Sequence, residues 1–263
     1  MTTTHGAVRG FERNADAYER ARPGYPREAI EYLRRGLPSP DGKWCVELGA
    51  GTGKLTRSLV PWAEPILAIE PTDAMRGAFR RALPTVPVLS ATAEHLPIRS
   101  ASARAVVVAQ AFHWFRQPAA LQEIGRILAP GGTLALLWNL RDETIPWIAS
   151  LGRLIDAESG SIPRARSNAW RSAFRDRPEF GPAETRSFSH AQILDPNGVV
   201  DRVLSISAIG LADDARQARI AEQVRSLLER EPATRGRSRL ELVYRTDVYL
   251  YPRSGSAAAP GSS

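Results

Sequence analysis

Residues 45–53 read Cys-Val-Glu-Leu-Gly-Ala-Gly-Thr-Gly, and few folds accept such a stretch. An apolar segment containing one acid runs into glycines at Gly49, Gly51 and Gly53, and a helical pattern starts at Lys54. A buried strand, a glycine-rich turn and a helix in that order form the ligand loop of an open α/β sheet. A side chain on the central glycines would hold the backbone away from a ligand and oppose positive φ. The helix that follows turns its unpaired N–H groups and its positive dipole end toward the loop.

The spacing narrows the ligand. A P-loop requires Gly-Lys-Ser/Thr, but Leu55 follows Gly53-Lys54, and Leu48 stands where its first glycine belongs. The dinucleotide fingerprint Gly-x-Gly-x-x-Gly finds Lys54 in its third glycine position, which weakens that reading without removing it.

The rest of the chain supplies an α/β alternation. Helical spacing is expected over residues 11–22, broken by Pro23-Gly24-Tyr25-Pro26, and again over 27–35, where Ile30, Leu33 and Leu37 turn inward. Strands are expected at 43–48, 65–70, 86–90, 104–110 and 133–138, with helices at 54–62, after Asp73 and at 118–128. Residues 129–132, Ala-Pro-Gly-Gly, are expected to stop that last helix. Such alternation implies parallel strands joined by right-handed crossovers. Beyond Asn139, helices are expected near 145–158, 168–174, 197–209 and 213–229, with strands near 185–190 and 240–251. One domain over residues 11–252 is expected, with a helical cap at 11–40, a ligand-binding core at 43–139 and substrate-side elements at 140–252. Residues 1–10 read as a disordered start and the Ser/Ala/Gly/Pro-rich 253–263 as a disordered tail.

Composition excludes several classes. No apolar run approaches the roughly 20 residues of a membrane span, and the first residues lack the zones of a signal peptide, so the protein reads as cytoplasmic. Cys45 is the only cysteine, lies in an expected buried strand and reads as inert packing. Four histidines and one cysteine give no metal-ligand spacing, and Asp213-Asp214 reads as a helix start. No Gly-x-Ser-x-Gly elbow is present. The formal charge of +7 is carried almost wholly by arginine, the only lysines being Lys43 and Lys54, a bias that a GC-rich coding sequence produces without selection for nucleic acid. The nearest basic cluster is Arg235, Arg237 and Arg239.

The second expected strand, Pro-Ile-Leu-Ala-Ile-Glu, is apolar until it ends in Glu70. The carboxyl ends of the strands line the crevice of a doubly wound sheet, so Glu70 is expected beside the glycine loop, where a carboxylate accepts bonds from ribose hydroxyls. Met75, in the next helix, suits an adenine face or the core.

Four blocks now agree in order: Glu47-x-Gly49-x-Gly51-x-Gly53, the acid Glu70, the turn Thr92-Ala93-Glu94-x-Leu96-Pro97 and Leu128-Ala-Pro-Gly-Gly-Thr-Leu134. Together they resemble small-molecule class I methyltransferases. The opening Phe11-x-x-x-Ala15-x-x-Tyr18-x-x-x-Arg22-Pro23-x-Tyr25-Pro26 and the segment Gln110-Ala-Phe-His113-Trp114-Phe115 are similar to the branch containing trans-aconitate methyltransferase-like proteins. The resemblance implies a doubly wound, mostly parallel seven-stranded sheet and S-adenosylmethionine across the ends of strands one to four. It places cofactor contacts at Glu47, Gly49, Ala50, Gly51 and Gly53, with Glu70 and Pro71 at the ribose. Met75 and the backbone of Thr92, Ala93 and Glu94 would meet the adenine, Tyr18 and Arg22 would cover the methionyl end, and Gln110 would lie under the sulfonium. Thr92 stands where the family often has an aspartate, so the resemblance does not carry over a side-chain bond to the adenine amino group.

The implied chemistry is methyl transfer to a small organic acceptor, by a monomer or homodimer. Alignment of the reactants supplies most of it, on the order of 7–11 kcal/mol. His113 is the candidate catalytic residue, as a base or as a histidine that shapes the pocket. Trp138, Trp147, Trp170 and Phe174 suit a pocket wall or the core, His95 a loop surface and His190 the sheet surface. Two other readings stay open at this point: a protein using the same cofactor for a different outcome, and an RNA methyltransferase.

Overall fold

A computed structural model of the chain describes residues 21–159, 169–210 and 212–254. The β-branched run of residues 103–109 forms the centre of the molecule, because a strand buried on both faces reads as continuous apolar sequence. Strands β1 (Trp44–Leu48), β2 (Ile66–Ile69), β3 (Val88–Leu89), β4 (Ala103–Ala109), β5 (Leu128–Arg141), β6 (Glu184–Leu194) and β7 (Leu240–Pro252) make one seven-stranded sheet in the order β3-β2-β1-β4-β5-β7-β6. The first five pair in parallel, and β7 inserts antiparallel between β5 and β6. This is the doubly wound, mostly parallel sheet expected from the sequence. The order reverses between β1 and β4, the place where open α/β sheets bind ligands.

Alternation along the strands sorts the core onto two faces. Val46, Leu48, Val106, Val108, Leu134 and Leu136 pack on one side. Cys45, Ala105, Val107, Ala135, Leu137 and Val248 pack on the other. Helix α1 (Arg27–Gly36) precedes β1, and α2 (Thr56–Leu59), α3 (Asp73–Ala82) and α4 (Gln117–Ile127) join strands of this half. After β5 come α5 (Pro146–Ser159), a 3-10 turn at Ala169–Phe174, then α6 (Pro196–Leu204), α7 (Ser207–Gly210) and α8 (Asp214–Arg230). Trp147, Ile148, Val199, Val203, Ile220, Val224 and Tyr244 make a third apolar cluster beneath these helices.

Several boundaries differ from expectation for local reasons. The helix expected over 54–62 reduces to Thr56–Leu59 flanked by single turns, since Pro61 offers no donor. β5 starts at Leu128 rather than 133: Ala103 pairs with Leu128 and Ala105 with Thr133, so Ala129–Gly132 is absorbed as an irregularity in the strand. The helix expected over 197–209 breaks at Ser205, whose hydroxyl donates back to the Arg202 carbonyl at 2.8 Å. The stretch near 168–174 is 3-10 rather than α. The expected helix at 11–22 lies outside the described residues except for its end.

Other expectations stand. Asp213 caps α8, its carboxylate accepting from Arg216 N at 2.7 Å. Cys45 is fully buried and burial pushes its thiol up to about 12, far from a reactive thiolate. Trp138, Trp147 and Trp170 are core residues: Trp138 stacks on Trp170 at 4.2 Å. Phe174 stacks on Tyr251 at 4.1 Å and packs against the same cluster. No described helix is long and apolar enough to cross a membrane.

Candidate active site

The turn after β1 is built from three left-handed glycines, Gly49 (φ 66°), Gly51 (φ 58°) and Gly53 (φ 85°). They do different work. A Cβ on Gly49 would lie 2.7 Å from Ala111 Cβ, and one on Gly53 2.7 Å from Leu83 Cδ1 and 2.9 Å from Phe79 Cδ2, so these two permit close packing of the loop on its neighbours. A Cβ on Gly51 would meet nothing within 4 Å. Gly51 thus keeps its bare backbone against open space at the switch point of the sheet. The loop is held to β2 by Gly49 N and Ala50 N, which both donate to the Ile69 carbonyl, at 2.8 and 3.1 Å.

Two acids lie behind this loop. Glu70, at the end of β2 and 6% exposed, accepts from Gly51 N through Oε2 and from Thr72 N through Oε1, both at 2.9 Å. Its backbone carbonyl takes a bond from Arg76 Nη1 at 2.7 Å, and Arg76 also pairs with Asp73. Burial raises the Glu70 pKa, and the two backbone N–H groups, the Thr72 side chain and Arg76 oppose that rise. Glu47, on β1, is 2% exposed and accepts from Thr56 Oγ1 at 2.5 Å. Burial pushes Glu47 up to about 8, with Glu70 adding to the rise and the Thr56 bond opposing it.

A cleft opens over the loop. Its floor is Glu47, Gly49, Ala50, Gly51 and Thr52, and Ala109, Gln110 and Asn139 come from the ends of β4 and β5. Gln110 holds a left-handed backbone (φ 58°), an uncommon conformation for a side-chain-bearing residue and one that collects at functional sites. It is fixed by Gln110 N donating to the Leu137 carbonyl at 2.9 Å.

The opposite wall is the segment from Ala21 to Tyr25, tied down at four points. Lys54 Nζ donates to the Arg22 carbonyl (2.7 Å), Asn139 Nδ2 to that of Gly24 (2.8 Å) and Gln192 Nε2 to that of Ala21 (3.0 Å). Arg22 Nη2 donates to the Ser205 carbonyl at 3.1 Å. Asn139 is steadied in turn by Thr246 Oγ1, which donates to its Oδ1 at 2.6 Å.

Of the residues singled out in the sequence, Arg22, Glu47, Gly49, Ala50, Gly51 and Gln110 line this one cleft, and Glu70 bonds to its floor. Gly53 faces α3 instead, and Ala93 is buried in the sheet core. Met75 is buried, Pro71 exposed, and Thr92 exposed with its carbonyl accepting from His95 N at 3.2 Å. Glu94 accepts from Arg116 N at 2.7 Å and so braces the start of α4. Tyr18 lies outside the described residues.

His113 sits in the 3-10 turn Phe112–Trp114, its ring 5.1 Å from that of Trp114. It is not among the residues lining the cleft. Its Nδ1 is buried with no hydrogen-bond partner among the described residues. Burial, helped by the nearby Arg22 charge, pulls it down to about 4, so the imidazole is neutral at physiological pH. His190 departs from the surface position expected of it: it is half-buried, with Nδ1 3.3 Å from Thr246 Oγ1 and its ring stacked on Tyr244. His95 is exposed, as expected.

Sequence reasoning missed Tyr25, Thr52, Lys54, Leu55, Asn139 and Arg202 as cleft residues. Lys54 carried a signal, being next to Gly53. Arg202 carried none, since it reaches the site from a helix far along the chain.

Comparison with known proteins agrees with this geometry. Residues 46–136 match the family model described as a methyltransferase domain. An uncharacterized methyltransferase of Mycobacterium tuberculosis is 37% identical over 234 residues, covering 88% of this chain and 90% of that one. An uncharacterized methyltransferase-like protein of Schizosaccharomyces pombe is 28% identical over 243 residues, covering 92% and 94%. A solved structure from Anaeromyxobacter dehalogenans, provisionally described as a type II methyltransferase, shares the fold with a TM-score of 0.66 at 20% identity, covering 89% of this chain and 97% of that one. Fold and family define an enzyme of methyl transfer. The chain belongs to the class I S-adenosylmethionine-dependent methyltransferases.

Proposed function

We propose that the cleft over the glycine loop binds S-adenosylmethionine and serves methyl transfer to a small organic acceptor. The observation that carries this reading is Gly51: its φ of 58° and the open space at its Cβ position suit a backbone against which a ligand lies directly. The donor set fits the cofactor. Glu70, bonded to Gly51 N in the cleft floor and to Thr72 N, is the acid we assign to the ribose hydroxyls. Met75 and the turn at Thr92, Ala93 and Glu94 remain our assignment for the adenine side, and Arg22 and Gln110 for the methionyl side.

When bound, the cofactor supplies a methyl group made electrophilic by its sulfonium. What this chain adds is alignment and exclusion of water. Glu70 fixes the loop and orients the nucleoside, while Gln110 and Asn139 hold the cleft wall at a set width. The Ala21–Tyr25 segment covers the site from the other side through its four tethers. His113 is not assigned as a base, since it does not line the cleft and an imidazole with a pKa near 4 is a weak base for a phenol or amine. The exposed Arg235, Arg237 and Arg239 lie between α8 and β7 and do not line the cleft, which favours a small acceptor over RNA.

The test is a labelled-methyl assay with a panel of small acids, phenols and amines, alongside calorimetry with S-adenosylhomocysteine. Cofactor binding with methyl transfer to a panel member is the expected result. Binding without transfer to any of them counts against the acceptor class, and absent binding counts against the cleft.

A further inference from the structure

Arg202 lies in the last turn of α6 and is 7% exposed, yet it lines the cleft. Its Nε donates to Tyr244 Oη at 3.0 Å and its Nη1 to Ser205 Oγ at 3.3 Å. Both partners are neutral hydroxyls, and no carboxylate pairs with it among the described residues. A guanidinium this buried without a counter-ion is costly, because desolvation is offset only when an opposite charge or a full set of acceptors is present. Arg22 approaches the same serine from the other side, its Nη2 donating to the Ser205 carbonyl.

The methionyl group of S-adenosylmethionine is a zwitterion and the sulfonium adds a positive charge, so the cofactor brings no net negative charge to Arg202. A bound anion would. The planar guanidinium offers paired donors that match a carboxylate or phosphate.

Resting on the reading that this cleft is the site of methyl transfer, we propose that Arg202 is the receptor for an anionic group, carboxylate or phosphate, on the methyl acceptor. Tyr244 holds Nε and so aims the rest of the guanidinium. Selection of acidic acceptors over neutral isosteres follows. The competing role for Arg202 is structural: a cation near a helix C-terminus that anchors α6 to β7.

Calorimetry on the full chain saturated with S-adenosylhomocysteine separates the two. Succinate, inorganic phosphate and neutral succinamide are titrated in turn. Succinate or phosphate binds and succinamide does not, and the stronger of the two anions names the group. Arg202→Gln weakens the anion at least about tenfold while S-adenosylhomocysteine affinity stays within about twofold. Tyr244→Phe keeps the charge, removes its anchor and weakens the anion about threefold, which serves if Arg202→Gln does not fold. The proposal is overturned if neither anion binds the wild-type chain or if both variants bind it unchanged. It is also overturned if S-adenosylhomocysteine affinity falls in parallel, since Arg202 then serves the cofactor. Failure of S-adenosylhomocysteine to bind the wild-type chain, seen in the first titration, overturns the cleft assignment and this proposal together.

Discussion

The Gly51 amide donates to the Glu70 carboxylate at 2.9 Å, across a separation of 19 residues. One bond thus links the turn after β1 to the end of β2, the two features that identify the ligand crevice. It also gives Glu70 a second job. Its carboxylate satisfies buried loop N–H groups and is the proposed ribose acceptor.

Glu70→Ala therefore affects both stability and binding. Leaving Gly51 N and Thr72 N without their acceptor costs about 1–3 kcal/mol of stability. Affinity for S-adenosylhomocysteine is expected to fall by at least about tenfold, the worth of one good hydrogen bond to a charged group. Urea unfolding and calorimetry read the two effects separately. Unchanged affinity would remove Glu70 from the site.

The three loop glycines are expected to separate in the same pair of measurements. Gly53→Ala and Gly49→Ala force a Cβ against Leu83 and Ala111, both at 2.7 Å, and chiefly lower stability. Gly51→Ala meets no neighbour, so it costs about 1–2 kcal/mol for its left-handed backbone, and its main effect is lost affinity. Equal binding losses with no difference in stability would contradict this division.

Much of this was legible in the sequence because it is local. The glycine loop, the apolar runs of the parallel strands and the acid that ends β2 each occupy a few consecutive residues, and period-two alternation marked the last strand. The cap tethers were not legible. Asn139 meets Gly24, Gln192 meets Ala21 and Arg202 meets Tyr244 only once the sheet has formed. The extension of β5 back to Leu128 was hidden for a related reason: Pro130 and the glycines after it read as a turn, and only pairing with β4 carries the strand through them.

Glu47 and His113 give opposite pH dependences. Burial raises Glu47 from 4.5 to about 8, so its contribution is fully present below pH 4.5 and is lost as pH rises through about 8. His113 is lowered from 6.5 to about 4, so its contribution is present above pH 6.5 and is lost as pH falls through about 4. Glu47→Gln keeps an acceptor for Thr56 and should gain on the wild type between pH 5 and pH 9, by on the order of a few kcal/mol. His113→Asn should instead flatten the acid side. Parallel unfolding profiles for wild type and both variants would show that neither group is buried as described.

Asn139→Ala should loosen the cap. It removes the donor to Gly24 and the acceptor of Thr246, while the side chain itself lies at the rim of the cleft. Faster proteolysis within residues 21–26 and faster release of S-adenosylhomocysteine in stopped flow are expected, with a small change in unfolding midpoint. Unaltered release would mean that the segment does not cover the ligand.

The central claim is that the turn at Gly51 bares its backbone to S-adenosylmethionine. Calorimetric titration of the wild-type chain and of Gly51→Val with S-adenosylhomocysteine tests it most directly. The account predicts one site per chain in the wild type and none detectable in the variant, with the variant still unfolding cooperatively. A wild-type chain that does not bind, or a folded Gly51→Val that binds equally well, would contradict it.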